Sequence, residues 1–249
     1  HLDRRPLNPR SLREATTLLS KAKKPLIIAG GGVHYSQAAD TLRDFAETFG
    51  IPVGETQAGK SAMSWKDSMS VGAIGVTGTS AANLIASDAD VVLVVGSRLQ
   101  DFTTASKQIF SPEVKLLHLN VSQYDGHKMD STALQADAKS GLQSLKESLQ
   151  IGNYQTGLEY RKRISQLQSE WNVEVDRLYE LTSEDGNVQT LIVGALNEFM
   201  APEDVVLCAA GSLPGDLHRL WRTELSKSYH MEYGYSCMGY EVAGGLGAK

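Results

Sequence analysis

Asp90-Val91-Val92-Leu93-Val94-Val95-Gly96 is the stretch that decides the fold class. Its nearly continuous apolar run, closed by a glycine, reads as a short strand buried on both faces, which is the pattern of a parallel sheet. Upstream, Pro25-Leu26-Ile27-Ile28-Ala29 is a second such run, closed by Gly30-Gly31-Gly32, and Ile51-Pro52-Val53 begins a third. Downstream, Val114 to Val121 reads as a fourth. Helical patterns lie between them. Ser11-Leu12-Arg13-Glu14 has the form of a capping box opening a helix to about Ala22. Ser36 precedes Leu42, Phe45, Ala46 and Phe49 at helical spacing, with Gly50 as the stop. Ser80 opens a helix through Ala86, and another runs from Ala138 to Leu149. This alternation predicts an α/β domain with a doubly wound, mostly parallel sheet. Between Gly54 and Gly78 the wealth of Gly, Ser, Thr and Met predicts a long surface loop.

Beyond Leu149 the organisation changes. Ile151-Gly152-Asn153 breaks the pattern, and a polar helix from about Thr156 to Leu181 reads as a connector. From Asn187 the alternation resumes: a helix to Met200, a strand Asp204 to Cys208, a turn Ala209 to Pro214, a helix to about Glu224, a short strand at Tyr229-His230-Met231 and a Gly-rich stretch from Gly239. The expected division is therefore 1–150, 151–185 and 186–249, with the third part too short to close a sheet. His1 follows no charged-then-apolar leader, and Lys249 falls in what reads as the middle of a helix, so the expectation is a piece of a longer protein.

The 249 residues carry 24 Lys and Arg against 29 Asp and Glu, a net charge of −5, which leaves no basic field for nucleic acid. Hydrophobic residues at 41% and charged ones at 21% are ordinary globular usage. No apolar run approaches the roughly 18 residues of a membrane helix. Two cysteines, Cys208 and Cys237, are too few for a disulfide framework and make the cytoplasm the expected compartment.

Few motifs carry chemistry alone. Gly30-Gly31-Gly32 after a strand fits either a dinucleotide turn or a structural one, and Tyr35 stands where the G-x-G-x-x-G fingerprint needs its last glycine. The six histidines show no zinc spacing. Asn120-Val121-Ser122 matches a glycosylation acceptor by chance in the wrong compartment, and Cys208 has no basic neighbour to activate it. Tyr233 to Lys249 is a turn leading into a helix of small residues, which fits a tightly packed helix or a ligand-presenting one.

Taken in order, Pro25–Gly32, Phe49–Val53, Gly75–Thr79 and Ala89–Arg98 resemble the sirtuin-like central domain of thiamine-diphosphate enzymes such as acetohydroxyacid synthase. Ser236–Lys249 is similar to that family's G-x-M-G-F-x-x-P-A-A-x-G-A motif, which opens the domain binding the cofactor diphosphate. The wording of Ala209–His218 and Met231–Tyr240 is most similar to the family's ring-opening hydrolases, which cleave a C–C bond of a cyclic 1,2-dione in myo-inositol breakdown. The resemblance implies thiamine diphosphate and Mg2+ as cofactors and a small cyclic dione as partner. It implies a homodimer or homotetramer without nucleic acid or membrane. It places Gly211, Ser212 and Leu213 at the diphosphate, and the main-chain carbonyl of Ser236 at the aminopyrimidine, with Cys237 and Gly239 beside it. Met238 would wedge the cofactor into its bent form. Ser236 replaces the family's glycine and Ala243 its proline. FAD is not expected, which leaves Gly30–Gly32 structural. The catalytic Glu is expected upstream and the magnesium ligands beyond Lys249, so no acid, base or metal ligand is named. An acetohydroxyacid-synthase-like carboligase and a non-catalytic nucleotide-binding module remain the other readings.

Overall fold

The computed structural model describes residues 3–184, 186–232 and 234–249. In chain order it has α1 (Pro9–Leu19), β1 (Pro25–Ala29), α2 (Gly32–Tyr35), α3 (Ala39–Phe49), β2 (Val53–Glu55), β3 (Ser70–Ala73) and α4 (Ser80–Asp88). There follow β4 (Val91–Val95), α5 (Asp101–Thr104), β5 (Lys115–Asn120), α6 (Gln123–Gly126), β6 (Thr132–Gln135) and α7 (Ala138–Ile151). A long α8 (Leu158–Tyr179) leads to a small antiparallel hairpin, β7 (Thr182–Ser183) and β8 (Gly186–Asn187). The chain continues through α9 (Gln189–Phe199), β9 (Val206–Cys208), α10 (Leu213–Leu220), β10 (Tyr229–Met231) and α11 (Tyr240–Ala248).

The run at Val91–Val95 forms the strand it predicts. Every residue of β4 is buried, as is every residue of β1, and the two pair in parallel from Pro25↔Val91 to Ala29↔Val95. The whole sheet is parallel, in the order β3-β2-β1-β4-β5-β6. Strand order reverses between β1 and β4, so the loops leaving these strands part to opposite sides and open a crevice at the carboxyl edge. Gly30, Gly32 and Gly96 meet at that edge. A Cβ on Gly30 would lie 2.4 Å from the Gly96 carbonyl oxygen and one on Gly32 2.6 Å from the Gly96 Cα, so close backbone approach requires these glycines, and Gly96 adds a φ of +62°.

Several local expectations give way. Asn8, not Ser11, caps α1: its side chain accepts from the Arg10 N–H, and Pro9 starts the helix before the apparent capping box is reached. Ser36 ends α2 rather than opening α3, which begins at Ala39 without a side-chain cap. Thr79, not Ser80, caps α4; its hydroxyl accepts from Ala82 N–H at 2.9 Å and donates to Val71 C=O at 2.7 Å. The largest correction concerns 54–78. It is not a surface loop but carries the end of β2 and all of β3, and Glu55, Thr56, Lys60, Ser61 and Met63 in it are buried. β6, an edge strand, was not expected from the sequence either.

Two hydrophobic cores result. The first gathers both faces of the large sheet; the second gathers Val193, Cys208, Leu217, Leu220, Trp221 and Tyr229. α8 serves both, sending Tyr160 and Ile164 into the first and Val175 and Tyr179 into the second. The polar connector helix is thus a shared spine. Among the described residues no helix is long and apolar enough to cross a membrane.

Candidate functional site

β9 and β10 pair in parallel, Val206↔Tyr229 through Cys208↔Met231, so the segments that follow them leave from the same edge. After β9, Ala209 and Ala210 lead to Gly211, whose φ of +97° is one that L side chains rarely adopt. Nothing lies within 4 Å of where a Cβ on Gly211 would stand, so the constraint is the backbone conformation and the space beside it is open. Ser212 then heads α10 without using its side chain as a cap; Pro214 has no N–H and the Gly215 N–H bonds the Ser212 carbonyl at 3.0 Å, leaving Ser212 and Leu213 as the main-chain donors at this end. An opened turn at a helix start is suited to phosphate oxygens.

After β10 the chain turns through Gly234 to Ser236, which takes a left-handed φ of 54°. Gly239, at φ +87°, heads α11. Met238 is 90% exposed on the outside of the loop, and Cys237 is exposed beside it.

Gly211, Ser212 and Ser236 share the wall of one cavity of about 820 Å³. Leu213, Cys237, Met238 and Gly239 lie on the same two segments but outside that wall. The opposite side comes from the large sheet: Thr77, the loop after β4 with Arg98 and Asp101, Lys107 and Lys128. Lys128 is paired with Asp125 at 2.6 Å, whereas Arg98 and Lys107 are exposed and bring positive charge. The site thus joins an anion-accepting turn, a strained loop and a cationic wall in a volume proper to a small cofactor plus substrate.

The two sides are fastened together behind the cavity. His218 of α10 is fully buried, and its Nε2–H donates to the Glu55 carbonyl at 3.0 Å while its Nδ1 accepts from the Thr77 hydroxyl at 2.8 Å. Burial, helped by the Lys60 charge, pushes its pKa down to about 3, so it works as a neutral crosslink. Gln57 donates to Pro214 C=O at 2.9 Å and accepts from the Tyr229 hydroxyl at 3.1 Å. Cys208 is buried, 3.2 Å from that hydroxyl, and burial raises its thiol pKa, as befits a packing residue rather than a nucleophile.

Sequence reasoning missed Glu55 and Lys60, both buried and both beside a second cavity of about 40 Å³ between the cores. Burial raises the Glu55 carboxyl to about 7, against the Lys60 charge and the Met63 N–H it accepts at 2.9 Å. Burial lowers Lys60 to about 8. The only signal available was their residue types within a glycine-rich stretch, which points outward rather than inward.

A further cavity of about 700 Å³ lies at the crevice of the large sheet, against Gly31, Gly32, Gly96 and Asn120. Asn120 is no glycosylation acceptor here: its amide is buried, donating to Ser97 C=O and accepting from Ser122 N–H. Among the described residues no group of three or more His, Cys, Asp or Glu could hold a metal ion.

Residues 12–145 match the model of the thiamine pyrophosphate enzyme central domain. Over its whole length the chain is 42% identical to the 3D-(3,5/4)-trihydroxycyclohexane-1,2-dione hydrolase of Clostridium tetani (strain Massachusetts / E88). It is 44% identical to the protein of that name in Bacillus thuringiensis (strain Al Hakam) and 43% identical to the one in Bacillus anthracis. It spans 42% of the length of each of these relatives. The matched region takes in the entire six-stranded parallel sheet, so the chain belongs to the thiamine pyrophosphate enzyme family and carries its central domain.

Proposed function

We propose that the protein carrying this chain is a thiamine-diphosphate-dependent hydrolase. It opens the ring of 3D-(3,5/4)-trihydroxycyclohexane-1,2-dione between its two carbonyl carbons. Water adds to one carbonyl, the C–C bond breaks, and the other carbon leaves as an aldehyde, so the product is 5-deoxy-D-glucuronate on the route of myo-inositol breakdown. The observation that carries the reading is the convergence of Gly211, Ser212 and Ser236 on one cavity, in a chain whose relatives bear that hydrolase name.

The residues fit the cofactor. The open left-handed turn at Gly211 is a cradle that a side chain would not adopt, and the start of α10 beside it favours anions. When bound, thiamine diphosphate supplies the sink for the electron pair of the breaking bond. The main-chain N–H groups at Ser212 and Leu213 would hold the diphosphate, the Ser236 carbonyl would accept from the aminopyrimidine, and Met238 would support the bend between the rings. Arg98 and Lys107 lend the opposite wall the charge that suits an acidic product.

The net reaction is a hydrolysis and requires no flavin. Magnesium is proposed to be held by side chains in the parts of the protein that the relatives have outside the span matched here, where it would supply positive charge to the diphosphate. The catalytic Glu is assigned to those parts as well. Domain limits at 1–150, 151–185 and 186–249, a cytoplasmic location and a homodimeric or homotetrameric state complete the proposal. Two free cysteines support the compartment. The open apolar side chains of Tyr235, Met238, Val242 and Leu246 support coverage by further protein.

Titration of the full-length protein with thiamine diphosphate and Mg2+, FAD and NAD, followed by tryptophan fluorescence, tests the cofactor. Saturable quenching by thiamine diphosphate alone is expected. Tight flavin binding instead would support a carboligase, and tight NAD binding without thiamine diphosphate a nucleotide-binding module.

A further inference from the structure

We propose that Glu232 is the positioning residue of the cofactor site, pre-forming the loop that meets the aminopyrimidine and tying it to the turn that meets the diphosphate. The proposal rests on the functional reading above. Glu232 is the first residue after β10. Its main-chain N–H donates to the carbonyl of Cys208, the last residue of β9, at 3.1 Å. The diphosphate turn follows from Cys208 three residues on, so one end of Glu232 fixes where that turn begins.

Its side chain fixes the other loop. One carboxylate oxygen accepts from the Tyr235 N–H at 3.0 Å and the second from the Cys237 N–H at 2.9 Å. These two donors flank Ser236, whose left-handed φ of 54° is costly for an L residue unless its neighbours hold it. No strand or helix holds residues 234–239, and further ties there run from Tyr240 N–H to Cys237 C=O at 3.3 Å and from Gly239 N–H to the Glu241 carboxylate at 3.1 Å. A carboxylate is the side chain with two acceptor oxygens and no donor, which matches two converging N–H groups. The same bonds hold the Glu232 carboxyl below the usual carboxylate range. Glutamine would keep one acceptor and turn an NH2 toward the other N–H, and alanine would offer nothing.

The test compares full-length wild type, Glu232→Gln and Glu232→Ala in three measurements. These are thiamine diphosphate affinity by fluorescence titration, the near-ultraviolet circular dichroism of the bound cofactor, and thermal unfolding without cofactor. The expected result is a dissociation constant raised roughly tenfold or more in Glu232→Gln, and further in Glu232→Ala, with an altered dichroic band. The unfolding midpoint without cofactor should move by no more than about 2 °C, since the loop is not part of either core. Wild-type affinity and dichroism in both variants would overturn the inference. So would weakened binding that merely follows a matching fall in unfolding midpoint. If alanine prevents folding, the glutamine variant, which nearly conserves shape, decides alone. Failure of the wild type itself to bind thiamine diphosphate would overturn the functional reading, and this inference with it.

Discussion

Gly96→Ala is expected to lower the stability of the protein by about 3–5 kcal/mol, a large share of the 5–15 kcal/mol typical of a domain. Two independent costs add. Gly96 has φ +62°, which burdens an L residue by about 1–2 kcal/mol. Its new Cβ would lie 2.5 Å from Gly32 Cα and 2.9 Å from Gly32 C, and these are backbone atoms that cannot swing aside. The contact joins the carboxyl ends of β1 and β4, the centre of the sheet, so relaxation there would disturb two fully buried strands. Gly245→Ala is the matched control. It lies inside α11 with nothing within 4 Å of the new methyl group, so helix propensity predicts no loss and a gain of up to about 1 kcal/mol. Denaturant midpoints of the three proteins decide the matter, and a Gly96→Ala midpoint equal to wild type would remove the close-approach explanation of the glycines.

The second large effect is set by pH. Glu55 ionises at about 7 in the folded protein, against 4.5 when solvated, because burial disfavours its charge more than Lys60 and the Met63 N–H favour it. A raised carboxyl pKa means the folded state holds its proton more tightly than the unfolded state. The resulting stabilisation is complete below about 4.5 and is lost as pH rises through about 7. Lys60 acts in the opposite direction. Its lowered pKa of about 8 contributes stability above 10.5 that is lost as pH falls through about 8. Between pH 5 and pH 8 the Glu55 contribution therefore falls by about 2–3 kcal/mol. Glu55→Gln keeps an acceptor for the Met63 N–H and cannot ionise. Its stability relative to wild type should rise by that amount from pH 5 to pH 8, read from urea midpoints at the two pH values. Parallel pH profiles for the two proteins would show that Glu55 does not titrate on folding.

These two cases also mark where the sequence is legible. Val91–Val95 and Pro25–Ala29 announce their strands because burial on both faces requires an unbroken apolar run, and Gly50 announces the end of α3 because its φ of +67° suits glycine. Ser70-Val71-Gly72-Ala73 does not announce β3. The strand is short, polar at its start and joined to β2 through a register shift at Val53/Gly54. The composition of 54–78 suggests a surface loop, because local composition cannot show that α8 and α10 close over Glu55 and Lys60. The same limit applies to the site. The turn at Gly211 and the loop at Ser236 are visible as glycine-rich breaks, but their meeting with Arg98 and Lys107 is a matter of tertiary placement. Glu232 shows it in miniature: nothing in its sequence neighbourhood distinguishes it from a solvated surface acid, and only the converging N–H groups reveal its role.

The central claim is that this chain belongs to an enzyme that splits a cyclic dione by hydrolysis with thiamine diphosphate. The most direct measurement is incubation of the full-length protein with 3D-(3,5/4)-trihydroxycyclohexane-1,2-dione in heavy water, with and without thiamine diphosphate and Mg2+, followed by mass and NMR analysis of the product. The account predicts cofactor-dependent conversion to one acyclic aldehyde-acid, equimolar with the dione consumed and carrying deuterium on the formyl carbon. An unconsumed dione in the presence of bound cofactor, or a product with protium on that carbon, would contradict it.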